Sequence, residues 1–561
     1  MARVVSTVDP LSLEVFWSRL ISVVNEQATA LVRTSFSPPV AEAGDLSACV
    51  FDARGYLLAQ AITGTPGHIN SMANCIRYFL AEFPPETIKP GDVWITNDPW
   101  KTSGHLLDIT IITPTFHNGR LVAFFGNICH VADIGGRVFS ADARELYEEG
   151  LFIPISRLFV AGKPNEELFR IIQNNIRAPS EVTAELYSMS AANEVGAARL
   201  GEFLDEFGFT TIEPLADEII ARSDRAMREA IDRLPNGSYE NTALTDGYDE
   251  PIRLQVRVDI VGDSVRIDFA GTSPESRHGI NVVLNYTEAY ATFALKALLA
   301  PDVPNNEGSF RSLSVTAPEG CILNCRRPAP VAARHILGHF LPALIFGALG
   351  EVVPNRIMAE GSANLWNTQF HGFYPDGRRF NLLFFNAGGT GARTGLDGIS
   401  STAFPSGISG TSVEIIENRS PLVVLEKSLR ADSGGPGEFR GGLGHRLRIA
   451  GLRTDRPYTF SPFFDRLQFP ARGLQGGQPG APGSYFLKHP DGTIEHPNPK
   501  ATIYPDPQTE LWIELPGGGG LGDPKERSPE QVLADLRAGL VSPEGAEMDY
   551  EALNQQKGRQ A

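Results

Sequence analysis

The chain has 561 residues, 42% hydrophobic and 20% charged, which is enough to bury a large core and build three or four structural units. Its net charge of −17 and pI of about 5.2 argue against a nucleic-acid or anionic-membrane surface. Cys49, Cys75, Cys129, Cys321 and Cys325 are too scattered for a disulfide framework or a C-x-x-C zinc pair. No signal-like N-terminus or long apolar run is present, so a cytoplasmic, non-membrane metabolic protein is expected.

In chain order, Asp9-Pro10 reads as an N-cap and first helical residue. Leu13, Phe16, Leu20, Val24, Ala28 and Leu31 follow at helical spacing, predicting an amphipathic helix of about 25 residues that ends before Pro38-Pro39. GDLSACVFDARGYLLAQA then gives two strand-like runs joined by DARG. Asp45, at the mouth of the first, is a candidate fourth metal ligand or a carboxylate that orients a ligand histidine. GTPGHINSM carries His68 in a Gly/Pro loop before a helix expected from Met72 to Phe83, where it lines a substrate pocket or packs.

The stretch GDVWITNDPWKTSGHLLDITIITPTFHNGRLVAFFGNICHVADIGG, residues 91–136, predicts a hairpin of two apolar strands turning at Asn118-Gly119. A two-residue loop pairs Asp108 with Cys129 and turns His130 to the other face. A three-residue loop, Asn118 to Arg120, sets Asp108 opposite His130 with Cβ atoms roughly 5 Å apart, and this register is the expected one. His105 has the wrong parity for that strand face and must enter from the loop TSGH, where Gly104 lets the backbone curl. Two imidazoles and a carboxylate then converge with open positions, the arrangement of a catalytic divalent site. Asn97 and Asp98 are expected to fix the loop through Asx-type bonds. Trp100, Phe124, Phe125 and Ile128 would supply apolar walls.

Further on, Glu149 and Arg177 are candidates for substrate or partner contact, and helical character runs from Asn165 to Phe207. A helix from Asp217 to about Leu234 precedes a meander in IRLQVRVDIVGDSVRIDFAGTS. RHILGHFLPALIFGALG places His335 and His339 at i and i+4, but Ile336 stands where a zincin needs Glu, so this helix reads as core. FNAGGTGARTGLDG, SGGPGEFRGGLG, GLQGGQPGAPG and PGGGGLGDP match no phosphate-binding loop, and tight turns or close backbone contacts are expected there. Arg393 and Asp397 in the first are possible pocket residues. SPEQVLADLRAGLVSPE is a capped helix. The fold class expected is α+β, multi-domain, with mixed helices and antiparallel hairpins. Residues 1–210 form a metal-binding catalytic region, 211–380 a central region, and 381–561 a β-rich, Gly/Pro-rich region with a terminal helix.

The segments NDPWKTSGHLLD and CHVADIGG, with GDLSACVFDARGYLLAQA and GHINSM upstream and SGGPGEFRGGLG and PGGGGLGDP downstream, resemble the hydantoinase B family. That family includes B-type subunits or regions of ATP-dependent hydantoinases, 5-oxoprolinases and caprolactamase, and large subunits of acetone and acetophenone carboxylases. The similarity runs in order from about residue 9 to about residue 545. By resemblance, His105, Asp108 and His130 would hold a divalent metal, Mn or Zn, and an aspartate recurs at the position of Asp45. Where many members read E-R-x-D-F-S this chain has EAGDLS, without the arginine and any anionic group it would bind. The resemblance further implies a hetero-oligomer with a hydantoinase A-like, ATP-binding partner that phosphorylates a cyclic amide. The activated amide would pass to this subunit for hydrolysis at the metal, with Asp45 or Asp133 as base or ligand orienter. The alternatives are ATP-dependent carboxylation of a ketone and a non-catalytic scaffold.

Overall fold

The computed structural model describes residues 10–62, 65–363 and 365–550, so the expected cap Asp9 lies outside the described residues. The helix Pro10–Thr34 forms where its stripe predicts, and Leu13, Leu20, Val24, Ala28 and Leu31 are buried. It packs beside the long helix Pro179–Phe207. Between them Gln27 Nε2 donates to Asn193 Oδ1 at 2.7 Å, and Asn127 Nδ2 donates to the same oxygen at 2.7 Å. Such satisfied buried polar ties fix how two helices seat on a sheet.

That sheet has seven strands: β1 (Leu46–Asp52), β2 (Leu57–Gln60), β3 (Val93–Thr96), β4 (Asp108–His117), β5 (Arg120–His130), β6 (Ser156–Val160) and β7 (Lys163–Pro164), in the order β2-β1-β5-β4-β3-β6-β7. Val50 and Phe125 face the core under the two helices, while Phe51 and Phe124 face a second core under the helix Pro66–Glu82. A sheet covered on both faces needs apolar residues at nearly every position, which is why LVAFFGNI reads as a continuous run. The helix Pro66–Glu82 starts six residues before its expected start. Thr65 Oγ1 caps it by accepting from Gly67 N at 3.2 Å and Pro66 occupies its first turn, so His68 is helical rather than in a loop.

The helix Glu213–Asp232 leads to a four-stranded sheet of β8 (Gly237–Thr245), β9 (Ile252–Val261), β10 (Ser264–Asp268) and β11 (Leu313–Thr316), antiparallel except for the β10–β11 pair. The remaining strands are β12 (Trp366–Phe373), β13 (Arg379–Asn386), β14 (Val423–Leu429), β15 (His445–Ala450), β16 (Thr459–Phe463), β17 (Ser484–Lys488), β18 (Ile494–Glu495) and β19 (Glu510–Glu514). They form the sheets β13-β12-β16 and β14-β15-β19-β17-β18, which share a core of Trp366, Phe370, Phe384, Leu447, Phe460 and Ile513. The expected boundary at 380 falls inside β13. One face of the β12–β13 hairpin lies in this core, while Leu383 and Phe385 on the other face join the N-terminal core, so the hairpin ties the two regions together. Mixed helices and largely antiparallel sheets make the architecture α+β. Among the described residues no helix is long and apolar enough to cross a membrane.

Glycine-rich segments at 388–391, 434–442 and 517–520 lie against one another. Gly518 N donates to Gly442 O at 2.9 Å, Gly435 N to Gly518 O at 2.8 Å and Gly442 N to Thr390 O at 2.9 Å. A Cβ at Gly518 would lie 1.9 Å from Thr390 O, so glycine is required there by close backbone approach. The helix Pro529–Arg537 carries a full capping box between Ser528 and Gln531.

Candidate metal centre

Asp108 opens β4 and His130 closes β5, and the two are directly paired across the ladder. His130 Nδ1 lies 3.0 Å from Asp108 Oδ1. His105 comes from the preceding loop, curled at Gly104 (φ +91°), where a Cβ would come within 2.8 Å of the Arg334 side chain. Asn97 anchors that loop, its Nδ2 donating to Leu106 O at 2.8 Å and to Leu151 O at 2.9 Å. His105 Nε2 thereby reaches 2.7 Å from the same Asp108 Oδ1. Among the described residues, His105, Asp108 and His130 form the one group of three whose ligand atoms lie within 4.8 Å of one another.

The other carboxylate oxygen of Asp108 is held as well. His68 Nε2 lies 2.8 Å from Oδ2, and Arg334 Nη2 donates to it. Arg334 Nε donates to Ser103 O, and the guanidinium lies 4.4 Å over the Tyr286 ring. Burial opposes the charge on Asp108, but His68 and Arg334 against its Oδ2 hold the carboxyl below the usual range. Burial likewise opposes a charge on His68, which Asp108 more than offsets, raising that imidazole. Asp45 Oδ1 stands 3.7 Å from His68 Nε2 and has no hydrogen-bond partner. Asp45 is thus grouped with His68 and outside the His105–Asp108–His130 cluster.

The donor set fits a divalent cation on one observation. His105 Nδ1 is 2.8 Å from Ala332 O, a pure acceptor, so Nδ1 carries the proton and Nε2 presents a lone pair. Burial, followed by Arg334, lowers this imidazole to about 3, which keeps it neutral. Its Nε2 then faces a carboxylate oxygen, acceptor to acceptor at 2.7 Å, with no hydrogen-bond partner. Two lone pairs at that distance in a buried site are stabilised by a shared cation, and mixed N and O ligands suit Mn or Zn.

Glu149 organises this wall from behind. Its Oε1 accepts from Val331 N at 2.6 Å and Ala332 N at 2.8 Å, fixing the peptide whose carbonyl sets the His105 tautomer. Burial raises the Glu149 carboxyl to about 8 despite those two N–H donors. Beyond Arg334, His335 and His339 line the same cavity, of ≈ 30 Å³, correcting their assignment to plain core. His335 Nε2 and His339 Nδ1 have no partner, and burial keeps both rings neutral, His339 at about 3. The i, i+4 histidine spacing in RHILGHF is the sequence signal for them. Tyr286 and Arg334 carried no local signal.

Several expected residues lie elsewhere. Asp133 does not line the cavity: its carboxylate accepts from Gly135 N at 3.1 Å, Arg177 Nη1 at 3.0 Å, Ala178 N at 3.3 Å and also Arg177 N. Its carboxylate is thus held by the backbone and by Arg177, which is tied to it, away from the cavity. Phe124 and Ile128 belong to the core beneath the helix Pro66–Glu82, Phe125 to the opposite one, and Trp100 Nε1 donates to Cys325 O at 3.1 Å. The apolar walls of the cavity are instead Phe139, Leu365, Phe385 and Ile408. Asp397 accepts from both Nη atoms of Arg527 at 2.8 Å, beside Asp535, in an ion-pair cluster, and Arg393 bridges to Leu396 and Met358 through its backbone.

The family model described as Hydantoinase B/oxoprolinase matches residues 9–524. Caprolactamase subunit beta of Pseudomonas jessenii is 31% identical over 572 residues, covering 97% of this chain and 96% of that protein. The crystal structure of ATP-dependent caprolactamase from the same organism superposes with a TM-score of 0.90 at 29% identity, over 97% of this chain and 96% of the other. Acetone carboxylase shares the fold, with a TM-score of 0.87 at 21% identity over 97% of this chain and 79% of that one. In the 5-oxoprolinase of Saccharomyces cerevisiae, 28% identical, 92% of this chain matches 42% of a longer polypeptide.

Proposed function

The chain belongs to the hydantoinase B/oxoprolinase family, and from that premise we propose that it is the hydrolytic subunit of an ATP-dependent complex acting on a phosphate-activated cyclic amide. The observation that carries this reading is the neutral, buried His105 Nε2 facing the ionised Asp108, with Arg334 and two unpartnered imidazoles in the same cavity. His105, Asp108 and His130 would hold Mn or Zn, which when bound supplies Lewis acidity and an activated water. Arg334 places a fixed positive charge against the substrate oxygen. His335 and His339, neutral and unpaired, suit hydrogen bonds to a water or to the ring amide of the substrate. Asp108 Oδ2 orients His68, with Asp45 3.7 Å away, and Glu149 orients His105 through the backbone at Ala332. The hydrocarbon walls favour a small neutral ring.

ATP would be bound by a hydantoinase A-like partner subunit, since no phosphate-binding loop occurs in this sequence. The relation to 5-oxoprolinase, where the similar region is 42% of one polypeptide, supports a two-part machine. The test is ATP-dependent turnover by the co-expressed complex on caprolactam, hydantoin and 5-oxoproline, with elemental analysis and His105→Ala as control. Activity and bound metal both lost in an assembled His105→Ala complex are expected. Bicarbonate incorporated into a ketone with the amides untouched would reassign the subunit to carboxylation, and activity unchanged in His105→Ala would leave it a scaffold.

A further inference from the structure

A second opening lies beside the cavity, and its walls are continuous with it. This groove, of ≈ 660 Å³, is many times the volume of the ≈ 30 Å³ cavity. Three separate chain segments contribute to both. Pro38 lines the groove and Asp45 the cavity; Asp133 lines the groove while His130 and Phe139 line the cavity; His371 and Asn381 line the groove while Asn367 and Phe385 line the cavity. In the β12–β13 hairpin, Asn367 pairs with Phe385 and His371 with Asn381. Being four residues apart, the two pairs share one face of the hairpin and lie about 13 Å from each other. Asn381 Nδ2 donates to Ala132 O at 2.8 Å, tying this face to the strand end that carries His130.

The charge of the groove is opposite to that of the molecule. In a chain of net charge −17 it is lined by Arg177, Arg378, Arg379 and Arg419, against the acids Asp133 and Glu181. Arg177 is paired with Asp133 and Arg378 with Asp376, whereas Arg379 and Arg419 make no ion pair among the described residues. Both are exposed; the Arg379 guanidinium lies 5.5 Å over the Phe373 ring and that of Arg378 4.7 Å over the Tyr374 ring. Guanidinium groups match phosphate oxygens in bidentate fashion, and an apolar ring packs edge-on against aromatic side chains.

We propose that the arginine-lined groove is a binding site for a phosphoryl-bearing small molecule with an apolar ring, adjoining the cavity around Asp108. It rests on the reading of the chain as a subunit that receives a phosphate-activated substrate, and it names where that substrate is first held. An acidic surface of a partner protein is the competing occupant; the aromatic lining and the shared walls with the cavity favour the small molecule.

The experiment titrates the full chain with phenyl phosphate and with inorganic phosphate by 31P NMR line broadening, comparing wild type, Arg379→Ala/Arg419→Ala and His105→Ala. Saturable binding of phenyl phosphate, tighter than inorganic phosphate, is expected, with a loss of tenfold or more in the double variant and full retention in His105→Ala. Equal affinity for the two probes would reassign the groove to free phosphate and overturn the proposal. So would absence of saturation, an unaffected double variant, or loss in His105→Ala, which would move the anion to the triad. Phosphate binding unchanged in the double variant, with weakened capture of the partner subunit, would make the groove a protein-docking surface. Because the readout needs no turnover, binding that persists in a complex inactive on cyclic amides would leave the groove standing while the proposed function falls.

Discussion

Asp108 faces His130 across the β4–β5 ladder even though the hairpin turns in only two residues. Asn118 (φ +50°) and Gly119 (φ +80°) form the primed two-residue turn that Asn-Gly favours, and such a turn alone would pair Asp108 with Cys129. The ladder corrects itself at a bulge: Phe116 pairs with Leu121 but Thr115 with Ala123, leaving Val122 without an opposite number. Deleting Val122 removes only the extra residue and should leave Asp108 facing His130, whereas inserting one alanine after Val122 should slide the rest of β5 by one residue, place Cys129 opposite Asp108 and turn His130 away. The insertion is expected to bind less than a tenth of the wild-type metal and to melt several degrees lower, read by elemental analysis and thermal denaturation, while the deletion keeps its metal. Full metal content in the insertion would show that the register of β5 does not set the site.

The triad should hold close to one divalent ion per chain. His105→Ala and His130→Ala are each expected to lose it while keeping the wild-type circular dichroism, because both side chains end in the cavity and hold up no core. Elemental analysis after exhaustive dialysis decides, and undiminished metal in either variant would defeat the assignment.

Glu149 makes stability depend on pH with a definite sign. Its folded-state value of about 8 lies above the ordinary carboxyl value of 4.5, so the folded protein binds the extra proton between them. The stabilisation is complete below pH 4.5 and is lost as pH rises to 8, at about 1.4 kcal/mol per pH unit at most. Glu149→Gln should flatten this part of the curve. Urea unfolding at pH 5.5, 7 and 8.5 on both proteins measures it, and parallel curves would contradict the prediction.

Gly518→Ala is expected to be among the most damaging single-methyl changes in the chain. The new Cβ would meet Thr390 O at 1.9 Å and Thr390 C at 2.3 Å, backbone atoms held by ladder bonds on both sides. A cost of about 3 kcal/mol or more follows from overpacking of this kind. Gly119→Ala, at an open turn with no atom within 4 Å, should cost only about 1 kcal/mol, from its positive φ.

The chain by itself should hydrolyse neither ATP nor unactivated lactams. A coupled assay for ADP release on the isolated chain checks this, and steady turnover abolished by a single substitution in it would reveal a nucleotide site.

The amino-acid sequence alone carried whatever depends on short range. The stripe from Leu13 to Leu31, the Asn118-Gly119 turn, the Ser528 capping box and the grouping of His105, Asp108 and His130 all follow from spacing within about thirty residues, where periodicity and turn chemistry act. It did not carry the bulge at Val122, because a one-residue slip is settled by which side chains the neighbouring strands and helices can bury. Nor did it carry Arg334, which meets Asp108 from 226 residues away, or the removal of Asp133, whose carboxylate is claimed by the backbone at 177 and 178. The tertiary structure decided those, since a buried charge takes its partner from whatever segment the fold brings beside it, and only long-range packing determines which segment that is.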